Sequence, residues 1–296
     1  MAKFQNPAVV INAASGSTTN ISEEIFEFFA DRHAVNATCH YVDPQDLDST
    51  LDMVLDEGAD LLVTFGGDGT SLAAAHRAGT KNIPIVPLPG GTMNILPKAL
   101  YGSEDWPEVL DLALSQDTPR WIPAGRLNEQ TFLVAAMIGT VVRVGVTREL
   151  MREGAILQAT TNMVETLRDV GPDEGFLYRL DGAVTPLAAN MLQVTCPFMS
   201  AYSDDPEAFE IAAVNIMSYA DLPALGLTAL MDEWRDNKSV ESQMARKVEV
   251  IGEGDIEVLL DGEYRTLQFP LSISLNRKGA YILCPAPKQQ FSQDTD

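Results

Sequence analysis

The 296-residue chain predicts an α/β N-terminal domain on a parallel sheet, followed by a C-terminal domain rich in antiparallel strands. Two observations carry this prediction. Up to about residue 118, short apolar runs alternate with amphipathic stretches, the pattern of parallel strands joined by crossover helices. After Pro119 the apolar runs become short, frequent and rich in Val, Ile, Phe and Tyr, which is the pattern of antiparallel strands.

The elements come in a regular order. Residues 8–11 read as the first strand, and Asn20 with Glu23 three positions later can cap a helix running toward Arg32. Residues 37–42 form a second strand. Residues 47–57 repeat apolar side chains at helical spacing (Leu47, Leu51, Val54, Leu55) and stop at Gly58, a residue suited to ending a helix. A third strand at 61–65, a small-residue helix at 71–78, a fourth strand at 83–87 and a helix at 106–114 complete the domain. Pro119 and Pro123 mark the boundary, giving domains of residues 1–122 and 123–296. In the second, strands are predicted at 131–136, 140–146, 176–180, 189–195, 210–217, 247–251, 256–260 and 271–276. Helices near 148–170 and 222–235 interrupt them, and residues 289–296 read as a disordered end.

Composition narrows the function classes. A chain 46% hydrophobic and 21% charged is of ordinary globular make-up. The longest apolar candidate, residues 131–146, is cut by Gly139, Arg143 and Gly145, so no spanning helix is expected; the first residues lack a secretory pattern. Three distant cysteines (Cys39, Cys196, Cys284) argue against a disulfide framework or a zinc site and for a reducing compartment. The net charge of −22 is shared equally between residues 1–122 and 123–296. A field of that sign opposes nucleic-acid phosphates, so no nucleic-acid partner is expected, and it gives no bulk attraction to anionic lipid.

Three short segments carry chemistry. The first is residues 61–70, LLVTFGGDGT, an apolar strand running into glycines and then into a helix. Glycines allow close backbone approach to a phosphate, and the free N–H groups of a helix start favour an anion. The segment is neither a Walker loop nor a GxGxxG fingerprint. Asp68 within it would cost about 1–4 kcal/mol beside a phosphate charge, so it calls for a divalent cation, a proton-accepting role, or a structural role shaping the turn or capping a helix. The second is residues 87–94, PLPGGTMN, again directly after a strand; in a parallel sheet both loops lie at strand C-termini, where open α/β sheets bind ligands. The third is Asp261-Gly262-Glu263, which by itself reads as a hairpin turn.

Taken together, residues 10–16 (VINAASG), GGDGT, PGGTMN and DGE resemble the diacylglycerol kinase catalytic-domain family in order and spacing over nearly the whole chain. GGDGT alone is shared with NAD kinases. The resemblance implies an ATP site enclosed by an α/β domain and a β-rich domain, with magnesium-dependent transfer of the γ-phosphate to a lipid hydroxyl. Residue by residue, it implies nucleotide contacts at Asn12, Tyr41, Gly66, Gly67, Asp68, Gly69, Thr70, Gly91, Thr92 and Asn94, with Glu263 as general base and Asp68 supporting magnesium or sharing the proton work. It implies a structural magnesium at Asp205, ATP and Mg²⁺ as cofactors, and a cytoplasmic protein meeting its lipid transiently at the membrane surface. The chain departs from the family at Tyr41, where the family carries threonine, and at Ile95, where it carries an acid. Pro206 stands in place of a glycine beside Asp205, and residues 195–198 replace a Gly-rich turn. An NAD kinase-type phosphotransferase, or a nucleotide- or lipid-binding protein without turnover, are the alternatives. Phe132, Met137, Phe198 and Met199 are candidates for an acyl groove, against a plain core role; His33, His40 and His76 form no metal spacing.

Overall fold

The structure, a computed structural model, describes residues 4–15, 21–33, 37–91, 94–139, 175–200, 205–215 and 240–286. The chain divides into two compact units, Met1–Ile122 with Arg277–Asp296, and Pro123–Asn276.

The first unit is a parallel sheet with helices. Its strands are β1 (Pro7–Asn12), β2 (Thr38–Val42), β3 (Leu61–Gly66) and β4 (Ile85–Pro89), in the order β2-β1-β3-β4. All six residues of β3 and all five of β4 are buried, as expected for strands covered on both faces. The helices are α1 (Ile21–His33), α2 (Leu47–Asp56), α3 (Asp68–Thr80), α4 (Ile95–Tyr101) and α5 (Trp106–Leu114). α2 turns Leu47, Leu51, Val54 and Leu55 inward, the stripe read from the sequence. Its acidic outer side is laced to α3: Arg77 bridges Asp48 at 2.9 Å and Asp52 at 3.1 Å, and Lys81 pairs with Asp56. Part of the large negative charge is therefore used within the fold. Asp60 uses both carboxylate oxygens to accept the N–H groups of Gln5 and Asn6, fastening the start of β1 to the start of β3.

The second unit contains β5 (Arg120–Leu127), which begins in the first unit, then β6 (Gln130–Phe132), β7 (Ala135–Ile138), β8 (Phe176–Leu180), β9 (Leu187–Ala189), β10 (Met191–Thr195) and β11 (Phe209–Val214). These are followed by β12 (Val240–Ala245), β13 (Lys247–Ile251), β14 (Asp255–Leu260), β15 (Glu263–Gln268) and β16 (Leu271–Ile282). Six strands form an antiparallel sheet in the order β12-β11-β10-β7-β14-β15. The others pair as β16-β13-β8-β9, also antiparallel. Both groups contribute to one apolar core, with Ile138, Val194, Ile211 and Val258 from the first and Tyr178, Val250 and Ile273 from the second.

The tail is where the observed division differs from the expected 123–296. β16 is a single strand of 12 residues, twice the expected six, and its last residues pair parallel with β4 (Ile282 opposite Ile85), so residues 277–296 belong to the first unit. The other differences are local. The expected strand at 131–136 is two strands, β6 and β7, separated by Leu133 and Val134. β5, β9, β12, β15 and the helix α4 are additions; α4 contains Pro97 and β5 contains Pro123, residues that argue against regular structure in a sequence reading. The expected strand at 140–146 and helices at 148–170 and 222–235 lie outside the described residues, as does Asn20.

Candidate active site

The first unit brings most of the expected nucleotide residues together at the C-terminal ends of β1, β3 and β4. β3 runs out through Gly66 and Gly67, and α3 begins at once with Asp68, Gly67 serving as its N-cap. The first N–H groups of such a helix have no partner inside it. β4 lies beside β3 with Gly66 opposite Pro89, and the Gly90 N–H donates to the Gly66 carbonyl at 3.1 Å. The loops then touch backbone to backbone. A Cβ on Gly91 would fall 2.5 Å from the Cα of Gly67, and one on Gly90 would fall 2.7 Å from the nitrogen of Gly66. Side chains are therefore excluded on steric grounds, which leaves a surface of main-chain atoms.

Three polar side chains fix this arrangement. Asn12, at the end of β1, donates from Nδ2 to Thr70 Oγ1 at 3.0 Å, while its own Oδ1 accepts the Ala14 N–H at 3.1 Å. Asn94, left-handed at φ 48°, accepts the Gly91 N–H at 2.8 Å and precedes α4. Asp68 reaches from the start of α3 to the start of α4: Oδ2 accepts the Ile95 N–H at 3.2 Å and Oδ1 the Leu96 N–H at 3.0 Å. Of the roles open to Asp68 on sequence grounds, capping is therefore realised, on α4 rather than on its own helix. Tyr41 stands apart. It lies on the edge strand β2, opposite Ile11 and 54% exposed, with β1 between it and β3. Thr92 lies outside the described residues.

The remaining expected residues belong to the second unit. Asp261 (φ 48°) and Gly262 (φ 89°) make the tight turn of the β14–β15 hairpin, and Glu263 opens β15. Glu263 is exposed and Oε2 accepts from the Arg265 guanidinium at 2.5 Å. Asp261 is the residue that sequence reasoning passed over. Its carboxylate accepts three backbone N–H groups, from Leu133 at 2.6 Å, Val134 at 2.8 Å and Ala135 at 3.0 Å. The same segment is held from its other side by Cys196, whose N–H donates to the Val134 carbonyl and whose thiol lies 3.6 Å from the Phe132 carbonyl. Burial, with the Asp261 carboxylate adding to it, pushes the Cys196 thiol well above its usual value. An Asp at a left-handed Asp-Gly turn was the available signal; which strand it would clasp was not.

Asp205, expected at a structural magnesium, is engaged by groups of the protein itself. Its Oδ1 accepts the Glu207 N–H at 2.9 Å and its Oδ2 the Arg246 guanidinium at 3.0 Å. Asp205 thus pairs with Arg246, and no group of three or more His, Cys, Asp or Glu that could hold a metal ion is found among the described residues, which do not include 201–204. The Glu207 N–H first, then the Arg246 guanidinium, hold the Asp205 carboxyl below the usual carboxylate range. Of the acyl-groove candidates, Phe132 is fully buried in the core of the second unit, and Phe198 and Met199 pack against that core. Met137 points to the other face of its strand, half-buried. No described helix is long and apolar enough to cross a membrane.

Comparisons with known proteins agree with this fold. Residues 8–118 match the family model of the ATP-NAD kinase N-terminal domain. A structure of a candidate diacylglycerol kinase from Bacillus anthracis strain Sterne superposes with a TM-score of 0.72 at 21% identity, covering 96% of this chain and 99% of the other. A second such structure gives 0.72 at 20% identity, with the same coverage. A third, of a diacylglycerol kinase from the same strain, gives 0.69 at 18%, covering 96% and 98%. No curated protein matches the sequence. The chain thus has the fold of these Bacillus anthracis structures, and residues 8–118 of its first unit are similar to the ATP-NAD kinase N-terminal domain.

Proposed function

We propose that the chain is an ATP- and Mg²⁺-dependent kinase that transfers the γ-phosphate to the hydroxyl of a diacylglycerol-like lipid. The observation that carries this reading is the close approach of the Gly66–Gly67 and Gly90–Gly91 main chains at the start of α3. ATP phosphates suit this place, because the first N–H groups of a helix have no partner within it and a helix start favours negative charge. Asn12, Thr70, Gly69, Gly91 and Asn94 would frame it, Thr92 would add a hydroxyl, and Tyr41 would lie at its margin. Each Asp68 oxygen has a lone pair beyond its N–H bond, so Asp68 would hold Mg²⁺ together with the phosphates, the usual way magnesium is bound in such sites. Mg²⁺ would offset charge developing on the transferred group. Glu263 would accept the proton of the lipid hydroxyl, a role open to any ionised carboxylate within hydrogen-bond reach. The lipid would be met transiently at a bilayer surface.

A second reading, phosphorylation of NAD, is favoured by the match of residues 8–118 to the ATP-NAD kinase domain. One experiment separates the two. γ-Labelled ATP with Mg²⁺ is offered mixed-micelle diacylglycerol, sphingosine and phosphatidylglycerol, and soluble NAD, to the wild type and Glu263→Ala. Label in a lipid, reduced about 10²–10⁴-fold by the substitution, is the expected result. Label in NADP would replace this reading by the second, and ATP binding with no labelled product would leave a binding protein.

A further inference from the structure

The position of the second glycine loop depends on where α4 sits, and α4 is held at both ends. At its C-terminal end the buried Tyr101 hydroxyl donates to the Leu283 carbonyl at 2.9 Å, and Gly102 closes the helix in a left-handed conformation. At its N-terminal end, the N–H groups of its first two residues, Ile95 and Leu96, are the two donors bound by Asp68. Only Gly90 to Asn94 separate β4 from α4, so a shift of the start of α4 is transmitted directly to Gly91, which already lies against Gly67.

We propose that Asp68 is a positioning residue: its carboxylate ties α4 to α3, and thereby keeps the Gly90–Gly91 loop closed against the Gly66–Gly67 loop, whether or not a metal is bound. This rests on the reading that the two loops bind nucleotide phosphates. It also accounts for a carboxylate in a phosphate-binding turn, since two N–H dipoles directed at the oxygens offset part of the charge. A magnesium-binding role and a positioning role make opposite predictions without metal. If Asp68 only held Mg²⁺, removing its charge would leave metal-free nucleotide binding unchanged or tighten it, by relief of repulsion between like charges. If Asp68 positions the loop, metal-free binding weakens.

The test is equilibrium binding of a fluorescent ATP analogue in EDTA and again in Mg²⁺, for the wild type, Asp68→Ala and Asp68→Asn, together with amide hydrogen exchange of residues 95 and 96. Asp68→Ala is expected to weaken metal-free binding about tenfold or more, equivalent to about 1.4 kcal/mol, and to lose protection at both amides. Asp68→Asn keeps one acceptor oxygen and is expected to fall between the two; it decides the matter if the alanine variant does not fold. Metal-free affinity equal to or above wild type in the folded variants, with a deficit only in Mg²⁺, overturns the proposal alone. A wild type that binds no nucleotide in either condition overturns the functional reading and this proposal together.

Discussion

Asp68-Gly69 and Asp261-Gly262 are the same dipeptide, each placed at the end of a strand, and they are folded in opposite ways. Asp68 is the first residue of a right-handed helix, whereas Asp261 and Gly262 are both left-handed, at φ 48° and 89°. The residues C-terminal to each dipeptide decide the difference. Small residues after Asp68 favour a helix, and the strand-favouring Tyr264 and Thr266 after Glu263 favour a return strand. Yet both carboxylates end in the same task, accepting main-chain N–H groups of a segment distant in sequence: Ile95 and Leu96 in one case, Leu133 to Ala135 in the other. A motif read for its chemistry can also be a fastening, because a carboxylate satisfies several backbone donors at once. The glycines differ more deeply. Gly66, and Gly90 and Gly91 across from it, are required for space, and Gly262 is required for its backbone angle, with nothing within 4 Å of its would-be Cβ.

The shared fastening role is tested most severely at Asp261. Asp261→Ala would leave three part-buried N–H groups without their acceptor, and a loss on the order of 2–4 kcal/mol in urea unfolding is expected. A loss below about 0.5 kcal/mol would show that the clasp is replaceable by water. Next come the two kinds of glycine. Gly91→Asn must displace the Gly67 backbone, so a cost of about 1–3 kcal/mol and a loss of nucleotide affinity are expected. Gly262→Asn is expected to cost less than about 1 kcal/mol, since asparagine tolerates the left-handed region and the space is open. Equal costs at the two positions would mean that space is not what Gly91 provides. The smallest effect belongs to Asp205, a half-buried acid with an ion pair to the more exposed Arg246. Its carboxyl is held below the reference value of 3.8, so its contribution is complete above that pH and disappears as pH falls through the folded-state value. Arg246→Ala should leave the neutral-pH melting temperature nearly unchanged and flatten its decline below pH 3.8; the same substitution producing a large neutral-pH loss would show that the pair is structural.

Much of the first unit was legible in the sequence. β1, β2, β3, α2 and α5 lie within a few residues of their expected places, because buried parallel strands and amphipathic helices leave strong periodic patterns. The glycine loops were legible too, since glycine is the residue that permits two backbones to meet as Gly67 and Gly91 do. The second unit was read more coarsely. β12 and β15 are edge strands exposed along most of their length, so they show no alternation of apolar and polar residues to detect. α4 was hidden by Pro97.

The two-part organisation, the alternation that builds the parallel sheet, and the loops where only glycine can sit are all written in the residue pattern, because these are requirements on a residue and its near neighbours. Long-range contacts were needed to establish that β16 runs on to pair with β4, that Asp68 holds α4, that Asp261 holds the segment before β7, and that Arg246 occupies the carboxylate of Asp205. A common cause links the two Asp clasps and the strand pairing: their partners are main-chain N–H and C=O groups, which almost every residue carries, so the identity of the partner leaves no mark in the sequence.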